Sequence, residues 1–153
     1  MPAQQVFSLE EVNALVPELT RIVGAQLESR DRIESMLDAL GEATGARGPA
    51  VRRGEPVDVT PRDDDPPAVR KQKREIARAI DAYHRGWSEV EAMGGVLKDP
   101  REGLVDFYGT VAGRLVWLCW KMGETRVNHY HQLDEGFASR KRIEESGRRM
   151  MLN

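Results

Sequence analysis

A chain of 153 residues with 40% hydrophobic and 31% charged side chains fits one globular domain with a modest core. The net charge of -2 gives no bulk field for nucleic acid, and a single Cys excludes an internal disulfide, which suits a reducing compartment. The start MPAQQVFSLEE has neither a basic nor an apolar targeting segment, and the longest apolar run, LVWLCW, is far short of a bilayer span. The expectation is a cytoplasmic protein with no membrane and no nucleic-acid partner.

The first predicted element is a helix. Ser8 can cap it, with Glu11 three residues on completing a capping box and Phe7 placed to staple onto Val12. Val12, Val16, Leu19, Val23, Ile33, Leu37 and Leu40 form a heptad seam, interrupted at Gln26 and Arg30. Pro17 removes a backbone hydrogen bond and is expected to kink the helix or split it into residues 8–16 and 17–40, with Gly41 as the stop. Leu15, Ile22, Leu27 and Met36 form a second apolar stripe, which predicts a symmetric dimer through the long helices.

Residues 42–67 are rich in Gly, Pro and charge, and read as a mobile loop in which VDV can form one extended rung. The acids Asp63 to Asp65 and the two prolines after them open a second helix over 68–93. Its seam runs through Val69, Lys73, Ile76, Ile80, Tyr83, Trp87 and Val90, and Gly94-Gly95 ends it. Matching seams predict an antiparallel helical hairpin.

After Gly95 the hydrophobic period changes to two. Short strands are predicted at 96–98, 104–108, 114–120 and 127–131, with GTVAG as the hairpin connection between the second and third. The fold class is therefore α+β, a kinked antiparallel helical hairpin on a small antiparallel sheet. It reads as one domain with a tail after residue 143.

The block from 103 to 140 holds two of the three Trp, the only Cys and two of the three His. His129 and His131 share one face of a strand, so they can hold a divalent cation with Asp134 or Glu124 as third ligand. The plainer reading leaves one His exposed and the other bonded to a loop carbonyl. Cys119 is a nucleophile if His131 approaches it; in an apolar run with no neighbouring cation it reads as a buried, inert thiol. A hairpin turning near Val111 makes Asp106 and Arg114 diagonal neighbours, a structural ion pair. Glu124, after Gly123, can accept backbone donors in a turn or reach His131. Arg140, Lys141 and Arg142 read as a solvated basic run able to contact an anion. No phosphate loop, dinucleotide fingerprint, zinc-finger spacing or nucleophile elbow is present.

The segments FSLEEVNALVPEL, GGVLKDPREGLVDF, GRLVWLCWKMGE and HYHQLDEGFASRKRI together resemble the DUF2203 family of small bacterial proteins of unknown function. The matching positions are Asp99, Gly103, Asp106, Phe107, Arg114, Leu118, Cys119, Trp120, Gly123, Glu124, His131, Asp134, Gly136, Phe137 and Arg140. His129 stands where the family more often has an aromatic residue. The resemblance implies no activity.

Two readings from different classes follow. One is a homo-oligomeric interaction or structural module, self-associating through its long helices. The other is a small-molecule or divalent-metal-binding protein, with enzyme activity admissible. Its ligand site would draw on Asp106, Arg114, Glu124, His131, Asp134 and Arg140, and its metal ligands would be His129, His131 and Asp134. No cofactor motif is evident, and a divalent metal is the class this pattern admits. The first reading is favoured at this point.

Overall fold

The computed structural model describes residues 5–45 and 58–143. Helix α1 spans Leu9–Thr44 and helix α2 Pro67–Ala92. Strands β1 (Val96–Asp99), β2 (Leu104–Val111), β3 (Arg114–Lys121), β4 (His129–His131) and β5 (Lys141–Arg142) follow, with a 3-10 turn at Phe137–Ser139 before β5. The five strands form one antiparallel sheet in sequence order, so the fold is α+β. The described residues divide into two compact units, 5–24 with 87–143, and 25–45 with 58–86. No helix among the described residues is long and apolar enough to cross a membrane.

The start of α1 is the predicted capping box. Ser8 N–H donates to Glu11 Oε1 at 2.9 Å, and Glu11 N–H donates to Ser8 Oγ at 3.1 Å. The Ser8 N–H holds the Glu11 carboxyl below its usual range. The expected break at Pro17 is absent: α1 is one helix with Pro17 inside it. Val16 and Leu19 on either side are 3% and 0% exposed, and burying such side chains is worth about 1.5–3 kcal/mol each, enough to offset the lost hydrogen bond. Gly41 does not stop the helix either, because Leu40 is buried and Thr44 Oγ1 donates back to its carbonyl at 2.8 Å.

In the first unit, Val12, Val16, Leu19 and Val23 bury the inner stripe of α1. Phe7 packs edge-on to Phe107, centroids 5.4 Å apart at 85°, and its N–H donates to the Tyr108 carbonyl at 2.7 Å. Asn13 Oδ1 accepts Val127 N–H at 2.6 Å. These contacts put Val105, Phe107, Val116, Leu118 and Trp120, all buried, into the core on the α1 side of the sheet.

The hairpin between β2 and β3 is tighter than GTVAG suggested. Both strands run to the turn, Val111 pairs with Arg114, and Ala112 and Gly113 alone make the connection with φ of 53° and 77°. Two positive φ values in succession are what a right-twisted two-residue hairpin requires. Strand β5, inside the run read as solvated, pairs with β4.

In the second unit, Leu40, Val69 and Ile76 form a buried cluster with Met36, Leu37, Val59 and Ile80 against it. At its other end Gln26 Nε2 donates to the Tyr83 carbonyl at 2.5 Å, which makes the helices antiparallel. Gln26 interrupts the apolar seam because it caps a backbone carbonyl there. Lys73, 7% exposed, donates to Asp65 Oδ2 at 2.8 Å and to the Thr60 carbonyl at 3.2 Å, which pins residues 58–66 to α2. The part of the expected mobile loop at 46–57 lies outside the described residues. The second apolar stripe is not an open surface: Ile22 is 5% exposed and Met36 packs on the Leu40 cluster.

Candidate functional site

Strand pairing decides which side chains share a face. Asp106 lies opposite Cys119, Trp117 opposite both Tyr108 and His131, and Cys119 also opposite His129. Directly opposed residues project to the same side. Asp106, Tyr108, Trp117, Cys119, His129 and His131 therefore occupy the face turned away from α1.

At the centre of that face lies a buried polar cluster. His131 and Asp106, 3% and 1% exposed, meet with Nε2···Oδ2 at 2.8 Å. His131 Nδ1 faces the Gln132 carbonyl at 3.0 Å. A carbonyl only accepts, so Nδ1 carries a hydrogen and Nε2 turns its lone pair, or a second proton, to Asp106. Asp106 Oδ1 is buried and makes no hydrogen bond. The Cys119 thiol beside it completes a group in which carboxylate oxygen, imidazole nitrogen and sulfur all lie within 4.8 Å of one another.

Burial pushes the Asp106 carboxyl up, while His131, Cys119 and Lys98 act against that shift. Burial, followed by the Asp106 charge, pushes the Cys119 thiol up to about 12. Unliganded, Cys119 is a neutral thiol and a poor nucleophile. The expectation that it lacks a neighbouring cation is corrected, because Arg140 Nη1 lies 4.0 Å from its sulfur.

Arg140 is fixed by two contacts. Its Nη1 meets Glu124 Oε1 at 3.1 Å, and its guanidinium covers the Phe137 ring at 4.3 Å. Glu124 Oε1 also accepts the Lys121 N–H at 2.7 Å, the turn role anticipated for it. Its other oxygen lies 3.7 Å from Nδ1 of His129, not beside His131. Burial, then the charge of Arg140, pulls the His129 imidazole below its usual value.

A cavity of about 80 Å³ opens over the cluster, lined by Lys98, Leu104, Asp106, Cys119, His131, Glu135, Gly136 and Phe137. Lys98 Nζ sits 3.9 Å above the Trp117 ring, which in turn stacks on Tyr108 at 3.8 Å. The roof is the segment from Gln132 to Arg140, held by local backbone bonds such as Glu135 N–H to the Gln132 carbonyl at 3.0 Å.

The structure thus brings Asp106 and His131 into direct contact, and places Arg140 beside Cys119 and Glu124 against Arg140 and His129. It leaves out two of the residues expected there. Arg114 is paired with Val111 at the hairpin end, so the Asp106–Arg114 ion pair does not form. Asp134 is exposed in the turn after β4. The expected metal set of His129, His131 and Asp134 is not what converges, since His129 is directed at Glu124 and the converging donors are Asp106, Cys119 and His131. The alternation of β2 and β3 carried the signal for Cys119, once the register was known. Lys98 carried none.

No curated protein and no solved structure matches the chain. A family model described as "Uncharacterized conserved protein (DUF2203)" matches residues 5–143, nearly all of the sequence and all of the cluster just described, and the chain belongs to that family.

Proposed function

We propose that this protein binds a small ligand or ion in the cavity above Asp106 and His131, and that this binding is its function. One observation carries the reading. A nearly inaccessible carboxylate that lines the cavity meets an equally buried imidazole at 2.8 Å, and its second oxygen has only the Cys119 thiol close to it among the described residues. Burying charged groups costs several kcal/mol that a purely structural sheet face avoids by using apolar residues. Groups held at that cost, converging on a concavity, are the usual composition of a binding site. Glu124 pairs with Arg140 and so holds it near the Cys119 sulfur.

Self-association through the long helices has less support, because Ile22 and Met36 from its proposed contact stripe are spent inside the chain. The test is native mass spectrometry of the purified protein, together with melting temperatures across a panel of metal ions and small anions. Wild type is expected to carry or be stabilised by a bound species. Asp106→Asn, nearly the same shape, should lose that response while remaining folded. A wild type that never binds any member of the panel, or an Asp106→Asn variant that responds unchanged, overturns the proposal.

A further inference from the structure

We infer that the species held in this cavity is a divalent metal ion of zinc type, bound by Asp106, Cys119 and His131 with its remaining coordination position open to the cavity. This rests on the reading of the cavity as the binding site, and makes that reading specific. It also replaces His129 and Asp134 by Cys119 and Asp106 as the ligands.

Four features point the same way. The donor set is one carboxylate oxygen, one imidazole nitrogen and one sulfur, within 4.8 Å of one another. Sulfur and imidazole select zinc and its neighbours over magnesium or calcium, which demand oxygen ligands. Zinc bonds of about 2.0–2.3 Å at tetrahedral angles place donor atoms roughly 3.4–3.6 Å apart. The His131–Asp106 contact of 2.8 Å therefore has to open by about 0.6–0.8 Å.

The orientation of His131 is the second feature. Nδ1 is anchored to the Gln132 carbonyl at 3.0 Å and Nε2 is aimed into the cluster. Metal-bound histidines are commonly fixed in this way by a carbonyl on the far nitrogen, which sets the tautomer and leaves the near lone pair free. The third is Asp106 Oδ1, buried and, among the described residues, with no donor in ordinary hydrogen-bond geometry and only the Cys119 thiol nearby, a ready acceptor for a cation. The fourth is the supply of ligands. Three protein donors leave one of four positions unfilled, and the cavity lies over all three. About 80 Å³ holds water or one small exogenous ligand there. Lys98, in the wall of the same cavity, favours an anionic one.

Arg140 has a defined part in this arrangement. Its guanidinium, 4.0 Å from the Cys119 sulfur and 3.1 Å from Glu124, is a positioning group for the thiolate that a bound ion requires. It approaches the sulfur without lining the cavity.

The test is titration of the chelator-treated protein with cobalt(II), read by absorption, and competition with zinc(II). Wild type should bind one equivalent and develop the near-ultraviolet charge-transfer band of a thiolate–cobalt bond. Cys119→Ser should abolish the band and weaken binding by more than the roughly ten- to hundredfold that loss of an outer-shell partner costs. His129→Gln and Asp134→Asn should keep both the band and the affinity. Azide added to the cobalt form should shift the visible spectrum by entering the open position.

A full-strength band in Cys119→Ser, or its loss in His129→Gln, overturns the assignment of ligands. A cobalt spectrum indifferent to azide overturns the open position. Circular dichroism checks that Cys119→Ser is folded, and the substitution is close enough in size to keep this arm decisive. If wild type takes up no cobalt or zinc while an Asp106-dependent small molecule is still found by native mass spectrometry, the metal inference falls and the cavity reading stands. If neither is found, both fall.

Discussion

Removing one partner from the His131–Asp106 pair tests the core of this reading. His131 and Asp106 are 3% and 1% exposed and 2.8 Å apart. His131→Ala leaves the Asp106 carboxyl buried without its strongest partner, with only the weakly donating Cys119 thiol beside it. Breaking a buried pair in this way costs about 3–5 kcal/mol. For a chain of this length that corresponds to a fall in melting temperature of roughly 6–20 °C. The loss should depend on pH in a definite direction. Burial already holds the Asp106 carboxyl above its ordinary range, and His131 is the largest influence opposing that. Without His131 the carboxyl rises further. The cost of burying it charged is therefore complete at neutral pH and relieved as the pH falls and the folded protein takes up a proton. Urea denaturation followed by circular dichroism at pH 7.5 and near 4.5 measures both effects. The double substitution Asp106→Val with His131→Leu should be less damaging than the two single costs combined, because it removes both charges together. A His131→Ala variant within about 1 kcal/mol of wild type, or a deficit that grows on acidification, would refute the reasoning.

Three further outcomes follow from other parts of the structure. A Cβ at Gly86 would lie 2.0 Å from Oε1 and 2.4 Å from Cδ of buried Gln26, so Gly86→Ala should lower stability by about 1–3 kcal/mol in urea titrations, and Gln26→Ala should recover part of it. Ala112 has φ of 53°, a left-handed conformation that costs an L-residue about 1 kcal/mol, so Ala112→Gly should raise the melting temperature and Gly113→Ala, at φ of 77°, should lower it. The hydrogen bond from Lys73 holds the Asp65 carboxyl below its usual range. A depressed carboxylate stabilises the fold above its unfolded pKa of about 3.9 and loses that contribution as pH falls through the lower folded value. Asp65→Asn should therefore melt lower than wild type at pH 7, and melting curves of the two should converge in acid.

The helices, the capping box and the change of period at Gly94-Gly95 were legible because each is written in local spacing. Register was not. A turn centred on Val111 sets Asp106 opposite Val116 and diagonal to Arg114, whereas the observed turn at Ala112-Gly113 sets it opposite Cys119. The shift changes which residues share a face, and with them the composition of the site. GTVAG is ambiguous because Ala at positive φ is disfavoured, so the sequence gives no reason to place the turn there. Pro17 misleads in the opposite way: its local rule is sound, but the buried stripe on either side of it outweighs that rule. Nor was the burial of His131 legible, since spacing alone does not say which His of the pair is exposed. Its burial depends on the roof formed by 132–140, a segment too irregular to read from spacing.

That roof bears on why the polar cluster is tolerated at all. The α1 side of the sheet supplies the apolar core, with Val105, Phe107, Val116, Leu118 and Trp120 buried there. The opposite face is thereby relieved of most of the burden of stability. The cover over it contributes little core: the 3-10 turn Phe137–Ser139 buries no residue, and Phe137 is 36% exposed. What holds it is Arg140 on the Phe137 ring, Lys121 at 5.6 Å from the same ring, and the Arg140–Glu124 pair. Each of these contacts is partly exposed and individually worth at most about 1 kcal/mol. A segment fastened so lightly opens at a small fraction of the free energy needed to unfold the sheet beneath it. The buried donors thus sit on the sheet's ladder, which fixes their geometry, under a cover held by individually weak contacts.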